Sequence, residues 1–126
     1  MKLADFQKDR NPDIWMYKYE LLTKNGLESG LKAGHAFEMP SVFVKRDHPF
    51  SHLVFDNEPE ELFEEMADQL HGDWVRFIKN GNPNENWPRF TGPASEVRIY
   101  DRETRTEKRD RTAMMEAWGD MRFYED

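Results

Sequence analysis

The stretch that decides the fold runs from residue 57 to residue 83 and reads NEPEELFEEMADQLHGDWVRFIKNGNP. Large apolar side chains recur in it at spacings of three and four, which is the pattern of an amphipathic helix. They are Leu62, Phe63, Met66, Leu70, Trp74, Phe77 and Ile78. Pro59 suits a first helical turn, acidic residues follow it, and Lys79 with Gly81 suits the end. The stretch therefore predicts one long amphipathic helix.

Shorter elements are predicted before this helix. Residues 2–8 place Leu3 and Phe6 at helical spacing and predict a helix that ends before Pro12. Residues 13–19, DIWMYKY, are nearly all apolar or aromatic and predict a strand covered on both faces. Residues 23–34 contain three glycines and predict a flexible loop. That loop leads to a mostly apolar segment, residues 35–44, which we expect to be buried, and residues 45–58 predict an irregular connection.

Two further elements are predicted after the long helix. Residues 97–100, VRIY, alternate and predict a short strand that ends at Asp101. Residues 112–121 place three methionines and Trp118 on one helical stripe, which core packing explains better than a cofactor site. The order of elements predicts an α/β fold in a single domain, residues 1–126. Because one or two strands make a poor sheet, we expect the chain to be part of something larger.

Composition narrows the class of partner. The chain has 126 residues, with 25 acidic against 18 Lys and Arg and a net charge of −7. This acidic balance argues against nucleic acid as a partner, because phosphate binding needs clustered basic side chains. Residues 102–111 form a basic stretch, but acids are interleaved in it, which predicts a solvated turn or strand end. A content of 13% aromatic residues predicts a folded chain rather than a disordered acidic one.

Location is predicted from what the sequence does not contain. No apolar run approaches the ~20 residues needed to span a bilayer, so we expect no membrane contact. The first ten residues lack the apolar core of a signal peptide. The chain has no cysteine, which excludes disulfides and thiolate metal sites and weakly favours a reducing compartment. We therefore predict a cytoplasmic protein.

Motifs of common enzyme classes are missing from the sequence. It contains no GxSxG, P-loop, GxGxxG or HExxH pattern. His48 and His52 could bind a metal from one helix face, but Pro49 lies between them, so we predict no metal site and keep a metal-binding protein as the weakest interpretation. His71 is expected to face solvent. His35 follows a glycine-containing loop, where either a catalytic base or a hydrogen-bonded structural histidine is compatible with its position.

Four stretches taken together resemble the C-terminal region of type B carboxylesterases, the cholinesterase-like and para-nitrobenzyl-esterase-like α/β-hydrolases. They are IWMY at residues 14–17, GHAFEMPSVF at 34–43, WVRF at 74–77, and GNPN at 81–84 followed by Trp87-Pro88. In order and spacing the resemblance extends across nearly the whole chain. It implies the C-terminal part of an α/β-hydrolase fold: a strand, a catalytic-histidine loop, a long amphipathic helix, a short strand and a terminal helix.

The resemblance also implies roles for single residues. His35 matches the catalytic histidine, the base that takes the serine proton and returns it to the leaving alcohol. Glu38 matches an acidic position of the same motif, and we expect Glu38 and Phe37 to be binding residues. Glu38 is not expected to be the triad acid, which in this family lies well upstream of the histidine. Ser41 and Val44 replace the aromatic residue and the glycine usual in the motif, a change expected to alter the local pocket wall.

In α/β-hydrolases the nucleophile, the acid and the oxyanion hole precede the histidine in the chain. We therefore expect a C-terminal fragment or subunit of a serine carboxylesterase, which needs no cofactor, is incomplete as a lone chain, and cleaves a small ester only together with the missing N-terminal esterase portion. The alternative is a non-catalytic module that forms a homo-oligomer or binds a partner through its unpaired strand. Its signature would be a dimer that buries Trp15, Trp74 and Trp118.

Overall fold

The computed structural model describes residues 2–119. Helices and strands alternate irregularly along this part of the chain. In chain order they are α1 (Lys2–Gln7), β1 (Tyr17–Tyr19), α2 (Lys24–Glu28), α3 (Met39–Val42), α4 (Pro49–Phe55), α5 (Glu60–Asn80), β2 (Glu96–Tyr100), β3 (Arg105–Lys108) and α6 (Thr112–Trp118).

The three strands form one sheet in the order β1-β2-β3. Strands β1 and β2 are parallel, with Tyr17 opposite Arg98, and β2 and β3 are antiparallel, with Val97 opposite Glu107. Parallel neighbours cannot be joined by a tight turn, and here the crossover between them contains the long helix α5. This β-α-β unit confirms the predicted α/β class.

Helix α5 forms where its periodicity predicts it. Pro59 stands at its N-cap, and Gly81, with φ of 70°, ends it in the left-handed conformation that glycine adopts without strain. Most of the predicted apolar stripe is buried, but Trp74, Phe77 and Ile78 are 38%, 39% and 74% exposed. The last two turns of the helix therefore leave their apolar side chains open.

The main core lies between α5, the loops before it and one face of the sheet. Its buried members are Leu21, Phe37, Val54, Phe55, Leu62, Phe63, Met66, Ala67, Leu70, Trp87 and Tyr100. Aromatic rings meet edge to face in it, as Tyr17 and Tyr100 do with centroids 5.5 Å apart. The core thus fixes β1 and the loop after it on α5.

The strand predicted over residues 13–19 forms only at Tyr17–Tyr19. Met16 still bonds to β2, since its carbonyl accepts the Arg98 N–H at 3.0 Å, but the Ile14 carbonyl accepts the Phe90 N–H at 2.7 Å from the loop before β2, so the ladder does not extend to Ile14. The prediction of cover on both faces is wrong, because Lys18 is exposed and pairs with Glu20 at 2.7 Å on the open side.

Two segments predicted to be irregular contain helices. In α2 the Thr23 hydroxyl accepts the Gly26 N–H at 3.2 Å, and in α4 His48 Nδ1 accepts the Phe50 N–H at 3.1 Å. Both are N-capping contacts, and Pro49 occupies the first turn of α4. Gly26 and Pro49, which the sequence analysis treats as residues that interrupt helices, therefore lie in the first turns of α2 and α4.

The part of the chain after α5 shows one addition and one correction. The basic stretch forms an exposed turn and strand β3, as a solvated turn or strand end predicts. In α6, which begins at Thr112 as expected, Met114 and Trp118 are 44% and 43% exposed and no residue is buried. The predicted packing of the methionine stripe is therefore not found in the described part of the helix; Met121 lies outside the described residues.

Glu58 connects three loops at the entrance to α5. Its Oε1 accepts the Lys24 N–H at 2.7 Å, and its Oε2 pairs with Arg102 Nη2 at 2.8 Å. Burial opposes ionisation of this carboxyl, but the Arg102 guanidinium and the Lys24 N–H outweigh it and lower the pKa of Glu58 below its ordinary value of 4.5. The ionised side chain therefore holds the start of α2 and the turn after β2 together.

We expect Glu58→Gln to lower the free energy of unfolding at neutral pH by about 1–2 kcal/mol, because the charged bonds become neutral ones. Since the pKa is lowered in the folded state, the contribution is complete above the ordinary pKa and is lost as pH falls through the folded value. Denaturant titrations of both proteins against pH test this. Glu61→Gln, at an exposed position of α5, is the control and should show no such pH-dependent difference.

Candidate functional site

The predicted catalytic histidine lies in the loop between α2 and α3, beyond the carboxyl end of β1. His35 is exposed and opens a turn over residues 35–38. The following Ala36 has φ of 65°, an unusual left-handed conformation for a residue with a Cβ. In open α/β sheets, ligands bind outside the carboxyl ends of the parallel strands. The imidazole lies on the surface, in the connection that follows β1, and not in a buried structural position.

The loop is held from two sides. Phe37 is 6% exposed and packs in the main core, with its ring 6.0 Å from that of Phe50. His71 of α5, exposed as predicted, donates from Nδ1 to the Val42 carbonyl at 2.8 Å. The expectation that residues 35–44 are buried is only partly right, since Pro40 and Ser41 are buried while His35 is not. These contacts fix the backbone on both sides of an exposed imidazole.

Glu38 ends the same turn and lies near the tyrosines of β1. Burial raises the pKa of Tyr17 and of Tyr19, and the negative charge of Glu38 raises both further. The Tyr19 hydroxyl is buried and has no hydrogen-bond partner among the described residues. Glu38 thus lies near both tyrosines and Phe37 is buried in the core, while His35 makes no side-chain hydrogen bond within residues 2–119.

Gly34 sets the approach of the loop to the core. A Cβ added there would lie 2.9 Å from the Phe37 ring, closer than side chains tolerate. We expect Gly34→Ala to push the ring or the loop aside and to lower the free energy of unfolding by about 1–3 kcal/mol. Thermal and denaturant unfolding test this. The control is Ala33→Gly, which removes a methyl group from the adjacent position and should lower the free energy of unfolding by less than Gly34→Ala does. Gly30→Ala is not a suitable control, because Gly30 has a positive φ that strains any residue with a Cβ.

Sequence reasoning missed a buried carboxylate on α5. Asp73 is 1% exposed, and its oxygens accept from the Tyr100 hydroxyl at 2.5 Å and the Asn84 amide at 3.1 Å, and pair with Arg76. Arg76 Nε in turn donates to the Pro83 carbonyl at 2.8 Å. The WVRF and GNPN stretches are therefore joined in space. Helical spacing could have indicated this burial, because Asp73 follows buried Leu70 by three residues and so lies on the apolar side of the helix.

The remaining histidines bind protein groups. His48 caps α4, and His52 Nδ1 lies 3.1 Å from Asp56 Oδ1. Among residues 2–119, no three His, Asp or Glu side chains come together where a metal ion could be held. In the same range no helix is both long and apolar enough to cross a bilayer.

Comparison with known proteins gives relatives by sequence. No family model matches the chain. Para-nitrobenzyl esterase of Bacillus subtilis (strain 168) is 29% identical over 93 residues, and cocaine esterase of Homo sapiens is 31% identical over 97 residues. Each alignment covers 71% of this chain but only 18% and 16% of the relative. The chain thus spans less than a fifth of the length of these curated relatives.

Solved structures agree with the sequence relatives. The Geobacillus stearothermophilus carboxylesterase at pH 6.2 superimposes with a TM-score of 0.71 at 27% identity, over 91% of this chain and 24% of that one. A thermophilic para-nitrobenzyl esterase gives a TM-score of 0.61, also at 27% identity, over 75% of this chain and 19% of that one. In sequence and in fold the chain is therefore type B carboxylesterase-like, with the architecture of the C-terminal part of an α/β-hydrolase.

Proposed function

We propose that this chain supplies the general base, His35, to a serine carboxylesterase site that hydrolyses a small carboxylic ester. The observation that carries the proposal is the placement of an exposed, unbonded imidazole in the loop beyond the carboxyl end of β1. A solvent-facing histidine on a rigidly held turn is what a proton-transfer role requires. The esterase relatives support the class of reaction.

The chemistry assigned to His35 has two proton transfers. One ring nitrogen takes the hydroxyl proton of a serine as its oxygen attacks the ester carbonyl. The resulting imidazolium then gives that proton to the alkoxide oxygen as the bond between carbonyl carbon and alcohol breaks. Water repeats the cycle on the acyl-serine and releases the carboxylic acid. No metal or organic cofactor takes part in these steps.

The nucleophile must come from residues other than these 126, because the sequence contains no GxSxG pattern. The described residues also provide no carboxylate bonded to His35 that could orient the ring. We therefore propose that the partner is an esterase portion bearing the serine, the acid and the oxyanion hole. On this account the chain alone hydrolyses esters no faster than free imidazole.

Loop rigidity supports the same role. A base must be held within a fraction of an ångström to transfer a proton efficiently. Phe37 and the His71 bond to Val42 fix the loop on the core and on α5, while Glu38 lies near the tyrosines of β1. Phe37 and Glu38 thus position the turn that presents His35, and Glu38 is the residue of the pair that is open to a bound ester.

The test is a chimera in which this chain replaces the matching segment of the Bacillus subtilis para-nitrobenzyl esterase. The quantity measured is kcat/KM for a short-chain para-nitrophenyl ester. We expect the chimera to hydrolyse the ester well above the rate of the same esterase with the segment deleted. A folded chimera with no activity above that deletion would contradict the proposal.

A further inference from the structure

A small pocket lies between the start of β1, the last turns of α5 and the loop after α5. Its volume is about 120 Å³, and its walls are mainly aromatic. They are formed by Trp15, Tyr17, Trp74, Phe77 and Trp87, with Pro83 and Asp73 completing the lining. The proposed ester chemistry uses none of these side chains.

The rings are held in place before any ligand arrives. Trp15 and Phe77 meet at 5.6 Å, and Tyr17 contacts Trp74 at 6.4 Å and Trp87 at 6.1 Å, all edge to face. A pocket whose walls are already ordered loses little conformational entropy on binding. These contacts therefore favour occupancy by a rigid, flat group.

Two of the three indole N–H groups around the pocket, those of Trp15 and Trp87, are already hydrogen-bonded. Trp15 Nε1 donates to the Trp87 carbonyl, and Trp87 Nε1 donates to the Met16 carbonyl, both at 3.0 Å. Most of the wall is therefore ring surface, and a polar ligand would lose hydrogen bonds to water with little replacement.

The charged groups beside the pocket disfavour an ionic ligand. The Asp73 carboxylate is already bonded by Tyr100, Asn84 and Arg76, and Arg98 Nε lies 3.9 Å from its Oδ2. Two guanidinium groups therefore face one carboxylate, which disfavours a cation despite the aromatic walls. An anion would meet an otherwise apolar lining. The ligand should be neutral.

Size points to a small molecule. An apolar cavity of about 150 Å³ holds one benzene, so this pocket of about 120 Å³ is sized for no more than one ring. One ring buries far less surface than the roughly 800 Å² per partner of a stable protein interface, so the pocket by itself suits a small ligand.

We infer that this aromatic pocket binds a single neutral aromatic ring of phenyl size, at a site separate from His35. Trp74 and Phe77 follow His71 by three and six residues, which is about 4.5 and 9 Å along the helix beyond the contact between α5 and the histidine loop. The pocket is therefore lined by the part of α5 that lies beyond its contact with the histidine loop, and His35 is not among the lining residues. The inference does not depend on the proposed ester chemistry.

The experiment is a ¹⁹F NMR titration of fluorobenzene with the full 126-residue chain. We expect saturable broadening of the fluorine signal that toluene reverses and that tetramethylammonium and benzoate do not. Absence of saturation, or equal competition by either ion, would overturn the inference. Sedimentation on the same samples reports mass, and a dimer that dissociates when the ring is added would show that a second copy occupies the pocket instead.

Substitutions locate the binding. Trp74→Ala should weaken fluorobenzene binding about tenfold, because it removes one wall of the pocket. Ile78→Ala, on the same helix but outside the lining and 74% exposed, is the matched control and should stay within twofold. Phe77→Leu keeps most of the volume and should still weaken binding, which protects the test if Trp74→Ala unfolds. Equal effects of Trp74→Ala and Ile78→Ala would contradict the assignment.

Discussion

His35→Ala should lower kcat/KM of the esterase chimera by roughly 10⁵- to 10⁶-fold, the loss seen when the base of a serine triad is removed. The reason is that the serine hydroxyl is a poor nucleophile until a base takes its proton. KM should change far less, because the imidazole contributes to the transition state more than to substrate binding. Steady-state hydrolysis of a para-nitrophenyl ester measures both constants.

The matched control for this change is His52→Ala. His52 is also exposed, but it lies on α4 beside Asp56 and outside the histidine loop. We expect its removal to leave kcat/KM within a few-fold of the parent chimera. If His35→Ala and His52→Ala had the same small effect, His35 would not be the base.

Asp73→Ala should lower the free energy of unfolding of the chain by about 3–5 kcal/mol, the range for breaking a buried charged network. The change leaves the Tyr100 hydroxyl, whose residue is 0% exposed, without its acceptor. It also releases Asn84 and so loosens the loop after α5. Arg76 is about half exposed, so its ion pair contributes the smaller part. Urea denaturation measures the loss.

Asp68→Ala is the comparison for Asp73, because Asp68 is an exposed aspartate on the same helix. We expect it to change stability by no more than about 0.5 kcal/mol. Tyr100→Phe should fall between the two, since Asp73 keeps its bonds from Asn84 and Arg76. An Asp73→Ala loss as small as that of Asp68→Ala would show that the buried network is not needed for folding.

The element that sequence predicts best is the one whose signal is local. Helix α5 has a long 3.6-residue pattern and clear end signals, and it forms at Glu60–Asn80. The short helices α2 and α4 were not predicted, because each is marked only by one capping contact. Thr23 provides that contact in α2 and His48 provides it in α4. Strand β3 has no apolar alternation to mark it, because its four residues, RTEK, are polar or charged, although it pairs with β2 across a short turn. An element marked by a pattern over many residues can therefore be predicted from the sequence. An element that depends on one contact is recognised only in the structure.

The apolar pattern alone does not tell which side chains become buried. Trp74 and Phe77 continue the stripe of α5, yet they line an open pocket, because β1 ends the sheet on that side within the described residues. Asp73 looks like a surface residue in the sequence, but it is buried because Tyr100, Asn84 and Arg76 satisfy its carboxylate. Burial here is decided by partners that lie far away in the chain.

The candidate site was predictable only through resemblance. By position, a structural histidine and a catalytic base are both compatible with a glycine-containing loop at residue 35. The resemblance carried by the stretch from Gly34 to Phe43 favours the base, and the structure adds that the ring is exposed and that the Val42 carbonyl after it is bonded to His71. The aromatic pocket carries no motif, because residues of β1, α5 and the following loop come together only in the fold.

The most direct test of the central claim, that His35 is the base, is chemical rescue. In the chimera carrying His35→Gly, kcat/KM is measured with increasing imidazole, against the parent and a His52→Gly chimera. We predict that the variant is inactive without imidazole and that added imidazole restores hydrolysis in a saturable way, above its rate without protein. Full activity of the variant without imidazole, or stimulation no greater than that in buffer, would contradict the account.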